Sequence, residues 1–249
     1  MKITLGIAAA ATLSIALTSA AFTNSPAADT TGTVSGRIVF EGKMPETKPL
    51  EISADQQKGC CEGGKTVDTT NRSLLVGDDK GIANVVVTID VKGKEAEASD
   101  EPIKLDQKEC RFEPHVMVVP VGTKVEFLNS DSIAHNVHTY ASKNDSFNQT
   151  IAPGAKHEQK LAKADKIEIK CDIHPWMNSY LIVSDTPYHA ITDRNGNFEI
   201  KGLPAGEYKV EVWHETLGKG KGTATIGEDG KSEAVEIALG ASKKKKRRR

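Results

Sequence analysis

Short runs of β-branched and apolar residues, bounded by Gly, Pro, Asn and Asp, recur along most of the chain. Val34-Ser35-Gly36-Arg37-Ile38-Val39-Phe40 and Val85-Val86-Val87-Thr88-Ile89-Asp90-Val91 read as strands. The same pattern predicts strands at Val116–Val119, Lys124–Leu128, Ile167–Lys170, Tyr180–Val183, Asn197–Ile200, Tyr208–Trp213, Thr223–Ile226 and Ala234–Leu239. No window of about a dozen residues carries a helical period. Many short strands separated by turn residues predict an all-β chain built of β-sandwiches. Glu41 to Ala83 breaks the pattern. It is a polar stretch with a weak strand candidate at Ser73–Val76, and it reads as a loop-rich excursion that a disulfide could staple.

The one sustained apolar run, Ile3 to Leu17, is shorter than a bilayer-spanning helix. It follows Lys2 and ends in Thr18-Ser19-Ala20-Ala21, the layout of a cleavable secretory signal over residues 1–20, with no lipobox. A periplasmic or secreted protein is expected.

Charge adds a division that the total hides. The formal charge is −1, but without Lys2 and the seven basic residues of Lys243–Arg249 there remain 25 basic against 34 acidic residues, or −9. An acidic body offers no footprint for nucleic acid. The tail 241–249 should be disordered by self-repulsion, and could tether the protein to an anionic envelope surface.

Cysteine usage points to two chemistries. Cys60 and Cys61 are adjacent, Cys110 stands alone, and Cys171 sits three residues before a His. In an oxidising compartment, a disulfide from Cys110 to Cys60 or Cys61 is the simplest reading and leaves one thiol over. A second metal site using Cys110, His115 and one of the pair is the alternative.

Cys171-Asp172-Ile173-His174-Pro175-Trp176-Met177 places a thiolate, an imidazole and a thioether in one short loop between two predicted strands. Upstream, the strand Lys124–Leu128 runs into Asn129-Ser130-Asp131-Ser132-Ile133-Ala134-His135-Asn136-Val137-His138. One Cys, two His and one Met form the donor set of a trigonal His2Cys copper site with a weak axial Met. A zinc site of Cys171, His135, His174 and Asp172 is a competitor, but it leaves Met177 unexplained because Met is a poor zinc ligand.

From about Glu101 to Ser184 the chain resembles a cupredoxin, with its closest likeness in the amicyanin and plastocyanin branch. The C-x2-H-x2-M loop with Pro175 after the His, and His135-Asn136-Val137-His138, match the amicyanin form. Pro120 to Phe127 resembles the family's strand before the first ligand, and Ile151-Ala152-Pro153-Gly154 its usual turn. The resemblance implies a Greek-key β-sandwich and one mononuclear type 1 copper held by His135, Cys171, His174 and Met177. Asn136 would tie the two ligand loops together. His174 would lie at the surface in an apolar patch, with Pro175 and Trp176 on a face that docks a redox protein. His138, by strand alternation, should point away from the metal. His115, His157, His189 and His214 have no ligand-like neighbours in sequence and are expected to be structural or exposed.

Ile191 to Val210, with a tight hairpin turn expected at Asp193–Gly196 and a second at Leu203–Gly206, resembles the carboxypeptidase regulatory-like domain, a small transthyretin-like β-sandwich of the Ig-like kind. Gly32 to Phe40 resembles that family's opening Gly-x-Val-x-Gly strand, and Ala83 to Thr88 its next strand. Because these pieces flank the copper segment, the cupredoxin (residues 101–184) is expected to be inserted into a split host sandwich (residues 32–98 plus 185–240). Pairing of Val34–Phe40 with copper-segment strands alone would contradict insertion. Trp213-His214-Glu215 reads as a strand end rather than a site.

Function is expected to be one-electron transfer by a monomer rather than catalysis, since the His-x-His pairs typical of additional copper centres are missing from the sequence. A copper carrier that hands over metal is the second reading. Exposed, flexible Met or His clusters would favour it, and the sequence has none.

Overall fold

The computed structural model describes residues 30–44, 46–61 and 65–240. The expected signal (1–20) and the basic tail (241–249) lie outside the described residues. The β-branched runs do form strands, and no helix occurs among the described residues. In chain order the strands are β1 (Thr31–Glu41), β2 (Val86–Ile89), β3 (Ile103–Lys108), β4 (Arg111–Glu113), β5 (Val116–Pro120), β6 (Lys124–Asn129), β7 (His135–Tyr140) and β8 (Asn148–Ile151). They continue as β9 (Lys156–Lys160), β10 (Asp165–Lys170), β11 (Asn178–Ser184), β12 (His189–Ile191), β13 (Asn197–Pro204), β14 (Gly206–His214), β15 (Gly218–Ile226) and β16 (Val235–Gly240).

They make four sheets: β13-β1-β16, β12-β2-β14-β15, β5-β11-β10-β7-β8 and β4-β3-β6-β9. The first two draw only on strands that flank the copper segment. β1 runs antiparallel to β13 and parallel to β16, with Ile38 opposite Ile237. Gly36 is obligatory there, because a Cβ would lie 2.0 Å from the Val235 carbonyl oxygen and 2.9 Å from the Phe198 ring. The inward residues of these strands, among them Val34, Ile38, Val87, Phe198, Leu203 and Val212, share one core. Leu105, Phe112, Phe127, Val137, Ile169 and Leu181 make a separate core between the other two sheets. In β10 the alternation is plain: Ile167 and Ile169 are buried while Lys166, Lys170 and Glu168 face outward.

The turns at Asp193–Gly196 and Leu203–Gly206 are present but do not close hairpins. β12 pairs with β2, β13 with β1 and β14 with β15, so each turn carries the chain from one sheet to the facing one. Among the described residues, the excursion after β1 holds only isolated bridges, Val39 with Gly81 and Val76 with Ile82; the strand candidate Ser73–Val76 comes down to that second bridge. Its two ends serve different cores: Leu74 and Ile82 join the first, Cys60 and Val67 the second.

Two histidines outside the copper loops are buried, and one of them links the two sets of sheets. His115, just before β5, faces Glu215, just after β14, and both side chains are buried. Asn178 Nδ2 also donates to Glu215, at 3.5 Å. His214 is fully buried; its Nδ1 accepts from the Thr216 and Leu217 amides, and its Nε2 has no partner. Burial, with His115 nearby, pushes its pKa down to about 4. The folded state therefore keeps His214 neutral while the unfolded chain takes up a proton near the ordinary value of 6.5. Stability should fall as pH drops from 6.5 to 4 and then level off, by up to about 3 kcal/mol. Urea unfolding across that range measures it, and His214→Gln should flatten the slope.

Candidate metal centre

The ligand loops meet because β10 lies beside β7, with Lys170 opposite His138 and Ile169 opposite Thr139. The next residue, Cys171, comes alongside the start of β7, where His135 sits. The loop from Cys171 to β11 closes on itself: the Cys171 amide donates to the Met177 carbonyl at 3.1 Å, and the Met177 amide to the His174 carbonyl at 2.9 Å. Four donor residues thus hang from two adjoining strand ends.

Donor atoms of His135, Cys171 and His174 lie within 4.8 Å of one another, and all three residues are buried. The two Nδ1 atoms face each other at 2.9 Å, and Cys171 Sγ is 3.8 Å from His174 Nδ1. Met177, fully buried in the same core as Cys171, completes the loop. Asn136 reaches from the start of β7 to the Cys171 loop. Its Oδ1 accepts from the amides of Asp172 (2.7 Å) and Ile173 (3.3 Å) and from Cys171 Sγ (3.3 Å).

Asp131 was not legible as part of the site. Its carboxylate accepts from His135 Nε2 at 2.7 Å and from the amides of Glu109 (2.5 Å) and Cys110 (2.8 Å). It fixes the tautomer that leaves His135 Nδ1 free for a metal. An acid four residues before a His is too common a spacing to single out in a sequence. Burial disfavours the charged imidazole, but the hydrogen bonds with Asp131 and Cys171 outweigh it and push the His135 pKa up to about 9. Burial likewise favours the Cys171 thiol, yet His135 and His174 bring its pKa down to about 6. Each of the pair favours the other's charged form, which draws the Cys171 sulfur toward the thiolate that ligates metals.

The remaining candidates fall outside this cluster. His138 is half-exposed and meets the Asp172 carboxylate at 3.1 Å. Asp172 also accepts from Asn136 and Asn148, so it faces away from the zinc arrangement considered above. His157 packs against Phe147, with ring centroids 4.4 Å apart, and His189 contacts the Thr186 carbonyl. Cys110 bonds Cys60, leaving Cys61 and Cys171 as the free thiols, and His115 is taken up by Glu215; the alternative site of Cys110 with His115 is not assembled.

One expectation is overturned. His174 does not lie at the surface: it is 7% exposed. The Cys60–Cys110 disulfide and the Trp176 ring, 5.1 Å from the imidazole, cover it. Trp176 is itself half-buried, its Nε1 donating to the Cys110 carbonyl at 3.1 Å. Pro175 and Ile173 are exposed, Ile173 at 52%.

The family model for the cupredoxin-like domain matches residues 81–183. The match covers 103 of the chain's 249 residues. The match begins twenty residues before the boundary expected at 101 and takes in β2, which pairs with β12 and β14. With a thiolate and two imidazoles converging in a buried pocket, the donor set fits copper, and copper is the cofactor that the cupredoxin-like domain indicates. No curated protein matches the chain.

Among solved structures, a Cu-containing nitrite reductase from Thermus scotoductus SA-01 is 24% identical over 39% of this chain, with a TM-score of 0.33. The shared region is only 25% of the length of that reductase. A purple cupredoxin from Nitrosopumilus maritimus is 22% identical over 33% of this chain and 99% of its own, with a TM-score of 0.29. An amicyanin mutant in its Cu(I) form is 21% identical over 39% of this chain and 98% of its own, with a TM-score of 0.32.

Proposed function

We propose that the protein is an exported one-electron carrier whose type 1 copper is held by His135, Cys171, His174 and Met177. The observation that carries this reading is the convergence of the Cys171, His135 and His174 donor atoms within 4.8 Å in a buried, pre-folded pocket. Bound copper would supply a one-electron couple. The chain's own part is to keep the ligands in place while the charge changes. The loop closure between Cys171 and Met177, the Asn136 tie and the Asp131 hold on His135 all resist ligand movement, which lowers reorganisation on electron transfer. Phe127, Val137 and Leu181 exclude water from the neighbouring core.

The same rigidity argues against a role in handing copper over and against catalysis, which needs an open coordination position. Ile173 and Pro175 are the exposed apolar residues through which a redox partner would approach. The flanking strands β1, β2 and β12–β16 would form one accessory sandwich of the carboxypeptidase regulatory-like kind, with the copper sandwich inserted after the Glu95–Ser99 stretch. The basic tail would add an anionic surface contact.

Voltammetry of the copper-loaded protein tests the reading. A reversible one-electron wave is expected. Preferential, colourless zinc binding with no such wave would overturn it.

A further inference from the structure

The Cys60–Cys110 disulfide sits against the metal cluster, and nothing in the ligand chemistry requires it there. Cys110 Sγ lies 3.9 Å from His135 Nε2. Both bridge sulfurs and a His174 nitrogen fall within 4.8 Å of one another. The bridge spans 50 residues and pins the excursion to the ligand end of the sandwich. Residues 52–61 form no strand, and their backbone bonds stay local, such as Cys60 to Gln57. Besides the bridge, described contacts of this segment with the ligand loop are few. Ser132 Oγ donates to the Gly59 carbonyl at 3.4 Å, and Gly59, at φ +81°, packs so closely that a Cβ would come 2.5 Å from Ile133. The far side of the excursion is held separately, by Arg111 donating to the Asp68 and Thr70 carbonyls. Gln57 Oε1 accepts from the Val67 amide at 3.1 Å, and Ile52 and Cys60 pack into the copper-side core, so opening the disulfide would remove the covalent tie beside His174 and leave only these weaker contacts to hold the segment.

Resting on the copper reading above, we propose that this disulfide is a latch on the copper site: the dithiol form admits copper and the disulfide form retains it. In the dithiol form Cys60 and Cys110 are also two soft donors beside His174, suited to a Cu(I) ion on its way in. Latching needs an oxidant of the disulfide class. One thiolate attacks the oxidant's S–S bond to give a mixed disulfide and one reduced thiol. The second thiolate then displaces the other oxidant sulfur, forming the Cys60–Cys110 bond, so two electrons and two protons pass to the oxidant. Cys61 is poorly suited to reverse this by exchange: burial, then Glu109 and Asp131, push its thiol pKa up and keep it protonated.

The test compares the full chain as disulfide, as phosphine-reduced dithiol, and as Cys60→Ser with Cys110→Ser. Copper uptake is followed without oxygen as Cu(I) leaving bicinchoninate and loss as its return to excess bicinchoninate, and the visible band is read afterwards in each form on oxidation with ferricyanide. A metal-independent readout is peptide-resolved alkylation of Cys171 in the copper-free protein. The disulfide form should be slower than the dithiol form by about tenfold or more in uptake, in loss and in Cys171 alkylation. The double Ser variant should lose copper as fast as the dithiol form but load more slowly, lacking the soft donors. Equal rates in the disulfide and dithiol forms, with the band present in both, would overturn the latch and leave the copper reading standing. A Ser variant that loads as fast as the dithiol form would overturn the entry role of the sulfurs. No band in any form, with unequal alkylation, would overturn the copper reading and the latch on it, and would leave only a movable segment.

Discussion

Cys171→Ala should abolish the intense visible absorption of the Cu(II)-loaded protein and lower copper affinity by orders of magnitude. The absorption arises from charge transfer out of a thiolate bound to the metal, and Cys171 is the free thiol in the cluster. Substitution from elsewhere is not available: Cys60 and Cys110 are joined to each other, and the Cys61 thiol is held protonated by burial and by Glu109 and Asp131. Ala leaves a small void and removes one weak hydrogen bond to Asn136, so unfolding free energy should change by no more than about 1–2 kcal/mol. Loss of colour in a protein that still unfolds cooperatively would therefore report the ligand itself. Undiminished absorption in the variant would place copper away from the Cys171 loop.

The strands that could be read in the sequence are those that bury at least one apolar face, from the one-sided alternation of β10 to the nearly continuous burial of β2. Val86–Ile89 and Leu181–Val183 are central in their sheets, and their β-branched runs declare them. Strands β8 and β9 are sheet edges with exposed or half-exposed residues at nearly every position, so Asn148–Ile151 and Lys156–Lys160 carry almost no apolar signal. Strand β7 was obscured differently, because His135, Asn136 and His138 occupy positions that would otherwise alternate.

In the site, residue type and spacing brought His135, Cys171 and His174 forward, since a metal-binding loop must supply several donors over a short span. The accessory contacts were not legible for the opposite reason: Asp131, Cys60 and Trp176 act through distances set by the tertiary fold. Which of two adjacent cysteines reaches Cys110 depends on how the chain turns at Gly59 against Ile133. The burial of His174 depends in turn on that choice. A resemblance confined to the copper sandwich could not foresee it, because Cys60, the half of the bridge that covers His174 from outside, comes from the excursion before β2.

Asn136→Ala should cost about ten- to hundredfold in copper affinity, the usual effect of removing a group that orients metal ligands. The Asn136 side chain is buried and spans both loops. Its Oδ1 holds the amides of Asp172 and Ile173, the residues between Cys171 and His174, while its Nδ2 donates to Asn148 and Asp172. Truncation leaves those two amides without their acceptor and lets the Cys171–His174 span move relative to His135. Folding stability should drop by about 2 kcal/mol from the unmet amides. Asn148→Ala is the matched control. Asn148 donates to Asp172 at 2.8 Å and accepts from Asn136 at 2.7 Å, but makes no bond to the ligand-loop backbone. It should leave copper affinity within about threefold of the parent, since the first ligands keep their supports. Competition titration with a chelator separates the two variants, and equal losses would show that Asn136 acts through the polar surface cluster around Asp172 and not by holding the ligand loop.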